Sequence, residues 1–190
     1  MKKIIVLLAL TLLLTGCGEE EKEVVPVSIQ IADDTSVEET GSDDASKIES
    51  NSTGEKLKFS TVDINGNPVT EDIIKDSKLV MINFWEPWCG PCVGEMPELE
   101  ELYENYKDKG LLILGVFSTT DMEDEVRDIL DECNTSYPII CSEPNLEKYM
   151  TDYVPTTVFA DSDGNIISSE PIVGANSYSD WEIIIEEYLK

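Results

Sequence analysis

An α/β fold, with a central mixed β-sheet flanked by helices and an N-terminal β-hairpin extension, is predicted for residues 57–190 by three observations. Two apolar runs, "KLVMINFW" (78–85) and "LLILGVFST" (111–119), have the character of strands buried on both faces. Stretches with helical spacing alternate with such runs along the chain. Turn signals built from Asn, Asp, Gly and Pro punctuate the remainder.

In order, "LKFSTVDINGNPVT" (57–70) reads as two strands around Asn65-Gly66-Asn67, with Pro68 following. The run 78–85 reads as a central strand. From Gly90 to about Lys109 a helical stripe places Met96, Leu99, Leu102, Tyr103 and Tyr106 on one face. Lys107, Lys109 and then Gly110 form a basic last turn and a stop. The run 111–119 is a second buried strand, and Asp121 to Glu132 an acidic amphipathic helix. "YPIIC" (137–141) is a short strand, Pro144 to Met150 a short helix, and "TTVFADSDGNIISSE" (156–170) a hairpin turning at Asp163-Gly164. "SDWEIIIEEYL" (179–189) closes the chain as a helix, with Ser179 or Asp180 as its cap.

Forty acidic against 13 basic residues give a formal net charge of -27 over 190 residues. Nucleic-acid binding is excluded on this count, because phosphate recognition needs clustered Lys and Arg. The chain has no histidine. That removes Ser-His-Asp and Cys-His nucleophilic centres and every metal site that needs imidazole. Acid–base work falls to carboxylates, tyrosines or thiols.

"MKKIIVLLALTLLLTGCGEE" opens with two lysines and an apolar run from Ile4 to Leu14. The run is short of the roughly 20 residues that span a bilayer, so it reads as an export signal. Leu14-Thr15-Gly16-Cys17 resembles the lipobox of bacterial lipoproteins, which implies cleavage before Cys17 and lipid attachment to it. Residues 1–17 are therefore expected to be signal and anchor, and the rest of the chain to lie outside the cytoplasm. Residues 18–56 are acidic and rich in Ser, Thr and Glu, the composition of a tether that extends by self-repulsion. The apolar patch Val24 to Ile31 within it fits a short strand or a docking segment.

The chemistry concentrates in "NFWEPWCGPCVGEMP" (83–97). Cys89-Gly90-Pro91-Cys92 follows a buried strand and opens a helix. Cys89 is thus predicted at a helix N-terminus, where unpaired N–H groups and the macrodipole stabilise a thiolate. Cys92, one turn in, is shielded and within disulfide reach. The outer thiolate can attack a substrate disulfide, and the inner thiol can resolve the mixed disulfide. Pro91 suits the first helical turn and stiffens the loop.

"FWEPWCGPC" is similar to the thioredoxin active site. With Glu95, Pro97 and the downstream Val154-Pro155-Thr156, the stretch resembles the membrane-tethered TlpA/ResA-like thiol-disulfide oxidoreductases. The resemblance covers about residues 57–190 and implies a thioredoxin-like fold, with Cys89 attacking, Cys92 resolving and Trp88 packed beside the disulfide. It further implies a cis peptide before Pro155, with Val154 and Pro155 offering backbone to a bound polypeptide. A trans proline starting an edge strand is the other reading. Cytoplasmic thioredoxins carry an acidic residue where Asn83 stands, and Asn83 cannot accept a proton from Cys92. The TlpA/ResA-like branch often has a glutamate where Glu95 stands, one helical turn past Cys92. Glu95 is then a proton carrier or, alternatively, a solvated helix carboxylate. Glu86 and Pro87 depart from the family's usual pair, and Glu86 is expected to set negative charge near Cys89, which slightly raises the Cys89 pKa or disfavours acidic substrates.

Cys133 and Cys141 fit either a second disulfide or two buried thiols. A four-cysteine zinc site joining them to Cys89 and Cys92 is opposed by Pro91 and Trp88. The resemblance implies a monomeric reductase of exported proteins, such as apocytochrome c or a methionine sulfoxide reductase. It implies electrons from a membrane thiol carrier of the CcdA type and no cofactor beyond the Cys89–Cys92 pair. A peroxide-reducing redoxin is the enzymatic alternative. It lacks its Thr-x-x-Cys, since Glu86 stands three residues before Cys89, and the chain's only arginine is Arg127. A metal- or partner-binding lipoprotein is the non-enzymatic alternative.

Overall fold

The two apolar runs form the middle of the sheet. In a computed structural model that describes residues 56–190, β3 (Leu79–Phe84) lies between β4 (Leu111–Phe117) and β6 (Thr156–Ala160). The predicted signal segment with Cys17, the patch Val24 to Ile31 and the tether, apart from Lys56, lie outside the described residues. The strand order is β5-β4-β3-β6-β7, with β5 at Ile139–Cys141 and β7 at Ile172–Val173. β3 runs parallel to β4, from Leu79 opposite Leu111 to Phe84 opposite Val116, and antiparallel to β6. β4 and β5 are parallel, while β6 and β7 are antiparallel. The sheet is therefore mixed, as predicted.

All six residues of β3 are buried, because both faces of the sheet are covered. Alternation along the strand sorts them. Leu79 and Met81 join Met96, Leu99 and Leu102 of α1 (Gly90–Tyr106), Val126 of α2 (Glu123–Glu132), and Trp181 and Ile185 of α4 (Tyr178–Tyr188). Val80, Ile82 and Phe84 join Leu57, Phe59, Ile74 and Leu146, the last from the single-turn helix α3 (Pro144–Glu147). Asn83 continues the first series, so its side chain falls on the α1 side of the sheet.

The expected N-terminal hairpin is present as a separate two-stranded sheet, β1 (Ser60–Val62) against β2 (Pro68–Thr70). Its turn is organised by Asp63, whose Oδ1 accepts from the N–H groups of Asn65 and Asn67, both at 2.8 Å. Asp161 organises the second predicted turn the same way, accepting from Asp163 and Asn165, both at 2.9 Å. Gly66 (φ 80°) and Gly164 (φ 82°) supply the left-handed residue of each.

Several boundaries differ from expectation: α1 ends at Tyr106 rather than about Lys109, and α2 begins at Glu123 rather than Asp121. α4 is capped by Ser177, not by Ser179 or Asp180: Ser177 Oγ accepts from Asp180 N–H at 3.3 Å and donates to the Asp180 carboxylate at 2.6 Å. The hairpin after β6 lacks a regular return arm. Just after the turn Ile166 makes only an isolated antiparallel bridge to Ala160, Ser168 Oγ then takes the N–H of Phe159 at 3.1 Å, and the next strand of the sheet forms past Pro171, as β7. α3 stops at Glu147, short of the predicted Met150.

Gly115 in β4 marks the tightest approach in this framework. A Cβ there would lie 2.4 Å from Ile139 Cδ1 and 3.3 Å from both Trp85 Nε1 and Tyr137 Cε2. Gly115→Ala is expected to cost about 1–3 kcal/mol, the usual penalty of overpacking a filled core, and urea denaturation will read it as a lower midpoint with unchanged slope.

Candidate active site

The C-terminal end of β3 delivers the redox turn. Cys89 has extended backbone and is the N-cap of α1, with Gly90 and Pro91 opening the helix. Cys92 N–H points at Cys89 Sγ at 3.2 Å, the arrangement that favours a thiolate there. Cys89 and Cys92 are joined in a disulfide with Cα atoms 5.3 Å apart. Cys89 is 5% exposed and Cys92 1%, so both sulfurs sit below the surface and Cys92 is the more shielded. Cys89 N–H is held by the Glu86 carbonyl at 3.0 Å.

The predicted proline neighbour is in place. The Val154–Pro155 peptide is cis, and the Val154 carbonyl oxygen lies 3.6 Å from Cys89 Sγ. This loop is pinned from both sides. Gly174 N–H donates to the Pro155 carbonyl at 2.9 Å, and Thr156 Oγ1 donates to the Tyr153 carbonyl at 2.6 Å. Around the buried disulfide two aromatic rings stand in solvent, Trp88 at 63% exposure and Tyr153 at 70%. Trp88 is tethered rather than packed, its Nε1–H donating to Thr119 Oγ1 at 3.3 Å.

Glu95 is not a solvated helix carboxylate. It lies on the buried stripe of α1 with Cys92, Met96 and Leu99, at 3% exposure. Its Oε1 accepts from Asn176 N–H at 2.7 Å and Trp181 Nε1–H at 2.8 Å; Oε2 faces Asn83 Nδ2 at 3.4 Å. Asn83 also donates to Thr157 Oγ1 at 3.1 Å. Burial pushes the Glu95 carboxyl above its ordinary value, and the three donors pull it back only in part. Asn176 and Trp181 were not legible as site residues. Trp181 reads as an ordinary apolar helix position, and only the rule that a buried indole N–H seeks an acceptor hinted at a partner.

Glu86 has a structural role that the sequence did not show. Its side chain is buried and accepts from the backbone N–H and hydroxyl groups of Ser118 and Thr119, so it is a clamp between two loops rather than a free surface charge. Nor do Cys133 and Cys141 form a disulfide: both are free thiols, and burial raises the pKa of each. Pro97, lacking an N–H, cannot donate to the Val93 carbonyl four residues earlier, and Cys133 Sγ approaches that carbonyl at 3.9 Å. Arg127 donates to Asn65 Oδ1 at 3.2 Å and to the Ile64 carbonyl, which engages the guanidinium at the β1–β2 turn.

The family model for AhpC/TSA matches residues 53–169, more than half of the chain. The chain belongs to the AhpC/TSA family. Among curated proteins, the thiol-disulfide oxidoreductase ResA of Bacillus thuringiensis subsp. konkukian is 30% identical over 138 residues, 72% of this chain and 75% of that one. ResA of Oceanobacillus iheyensis is 38% identical over 93 residues, 48% of each. Among solved structures, a thiol:disulfide interchange protein of the thioredoxin family from Chlorobium tepidum matches with a TM-score of 0.62 at 25% identity, covering 71% of this chain and 95% of that one. StoA from Bacillus subtilis, at 20% identity and a TM-score of 0.56, covers 72% of this chain and 98% of its own and supports the fold alone. This AhpC/TSA member is a thiol-disulfide oxidoreductase on a thioredoxin-like fold, with Cys89–Cys92 as its redox pair. Among the described residues no helix is long and apolar enough to cross a membrane.

Proposed function

We propose that this oxidoreductase works outside the cytoplasm, anchored through Cys17 as a monomer, and reduces disulfides in exported proteins. The observation that carries the reading is the Val154 carbonyl at 3.6 Å from Cys89 Sγ, flanked by the exposed rings of Trp88 and Tyr153. Such a rim suits an extended polypeptide laid across a shielded disulfide, with backbone pairing at the loop and apolar contact on either side.

In the reduced protein, the Cys89 thiolate attacks one sulfur of the substrate disulfide and expels the other as a thiolate. Cys92 gives its proton to Glu95, one helical turn away, and attacks Cys89 Sγ. The second substrate sulfur leaves and is protonated, and the Cys89–Cys92 disulfide is restored. The substrate gains two electrons from the cysteine pair; one of its sulfurs takes the Cys92 proton by way of Glu95, and the other takes from solvent the proton that Cys89 released there. A membrane thiol carrier of the CcdA type would resupply the electrons, and no cofactor is required. Apocytochrome c and an extracytoplasmic methionine sulfoxide reductase are the proposed substrate types.

The dipeptide between the cysteines, the pair that thioredoxin carries, supports the reductive direction. A Gly-Pro pair between the cysteines goes with potentials near about -270 mV, whereas strong oxidants lie near about -120 mV. Equilibration with a dithiol redox buffer should place the Cys89–Cys92 couple near the first value. A result near the second would overturn the reductive role. Cys17→Ala should move the protein from the membrane fraction to the soluble one, and a variant that stays with the membrane would overturn the anchor.

A further inference from the structure

Glu86 stands three residues before Cys89 and is 3% exposed. Its Oε1 accepts from Ser118 N–H at 2.9 Å and from the Ser118 hydroxyl. Its Oε2 accepts from Thr119 N–H at 3.2 Å and from the Thr119 hydroxyl. Each carboxylate oxygen therefore receives two donors from one residue. The Thr119 hydroxyl oxygen in turn accepts the Nε1–H of Trp88 at 3.3 Å. Indole, hydroxyl and carboxylate form one directed chain, and a hydroxyl whose proton is committed to a carboxylate is the better acceptor for the next donor. The Glu86 carbonyl meanwhile holds Cys89 N–H. One buried side chain thus ties the redox turn to the loop after β4.

The consequence falls on Trp88. An indole this exposed has little packing to choose its rotamer, and ordering it at the moment of docking costs entropy. We infer that Glu86 is a positioning residue: acting through Thr119, it holds the Trp88 ring in place beside Cys89 before a polypeptide disulfide docks. The effect on substrate rests on the docking role proposed above for Trp88; the hold on the indole does not.

A glutamine at 86 breaks the arrangement, since its NH₂ must face the N–H of Ser118 or of Thr119. Thr119→Val breaks only the relay and keeps the carboxylate with both backbone donors. The chain has three tryptophans, so ¹⁵N-labelled oxidised protein gives three indole N–H resonances, that of Trp88 being assigned by its loss in Trp88→Phe. In both Glu86→Gln and Thr119→Val the Trp88 indole proton should move upfield and exchange with solvent at least about fivefold faster, the scale of one net hydrogen bond. The Trp181 indole, held by Glu95, should stay put, which a general loosening of the fold would not permit. For insulin as the disulfide substrate, KM should rise about fivefold with a smaller change in kcat, again the worth of one hydrogen bond. Adding Glu86→Gln to Trp88→Phe should cost nothing beyond Trp88→Phe alone. Should Glu86→Gln fail to fold, Glu86→Asp, which keeps the charge but withdraws both oxygens by one methylene, gives the same test on the Trp88 resonance. An unmoved Trp88 resonance, or fully additive losses, would overturn the inference. A moved resonance with unchanged KM would leave Glu86's hold on Trp88 standing and overturn the docking role of Trp88 instead.

Discussion

Cys92→Ser is expected to arrest the protein at the mixed disulfide, lowering insulin reduction by about 10⁴-fold or more, the scale on which losing one member of a concerted catalytic unit acts. Cys89 keeps its place at the N-terminus of α1, so attack on the substrate continues. Without the sulfur one turn below, nothing releases the adduct. A covalent complex should accumulate on non-reducing gels and dissolve with dithiothreitol. Cys89→Ser should give neither turnover nor complex, because Cys92 is 1% exposed and cannot be reached by a polypeptide. Turnover of Cys92→Ser at the wild-type rate would contradict the assignment, as would an adduct mapped to Cys133.

Glu95→Gln should lose activity and gain stability together. Removing the proton acceptor is expected to lower kcat/KM about 100-fold at neutral pH, the lower end of what a positioned acid–base group contributes. Wild-type activity should fall as pH drops through the Glu95 pKa, which lies above the ordinary carboxylate value, and the variant should lack that limb. The stability effect has the opposite sign. Because burial raises the folded-state pKa, the native protein binds the extra proton between the unfolded and folded values. Stability therefore declines as pH rises across that window and stays lower above it. A glutamine keeps Oε1 for Asn176 and Trp181 and carries no charge to desolvate, while its NH₂, replacing the oxygen that faces Asn83 Nδ2, gives up only that 3.4 Å contact. Thermal unfolding should show the variant with the higher midpoint at pH 7 and the two proteins converging toward pH 4. A variant with full activity and an unchanged pH profile would remove Glu95 from the mechanism.

What was legible in the sequence was local. The apolar runs of β3 and β4 announce strands buried on both faces, since no other element shorter than ten residues tolerates such continuous apolarity. The redox pair and its place at the start of α1 follow from motif and spacing, and the proline facing it from the resemblance to the TlpA/ResA-like oxidoreductases. The Asp63 and Asp161 turns follow from their Asn and Gly residues. What stayed hidden depends on the tertiary fold. The donors that hold Glu95 come from Asn176 and Trp181, 81 and 86 residues away, and the clamp on Glu86 comes from 32 and 33 residues away. Nothing in a single chain pairs residues over such distances. β7 was missed because the chain after the turn makes only an isolated bridge, Ile166 to Ala160, before Ser168 Oγ takes the Phe159 N–H, so the next strand forms past Pro171.

The central claim is that electrons pass between a polypeptide disulfide and the Cys89–Cys92 pair alone. Incubating the fully reduced protein with one equivalent of oxidised insulin, quenching in acid, alkylating and mapping every cysteine by mass spectrometry tests it directly. The account predicts one Cys89–Cys92 disulfide formed for each insulin disulfide opened, with Cys133 and Cys141 recovered as alkylated thiols. A disulfide that includes Cys133 or Cys141, or reduced protein that leaves insulin oxidised, would contradict it.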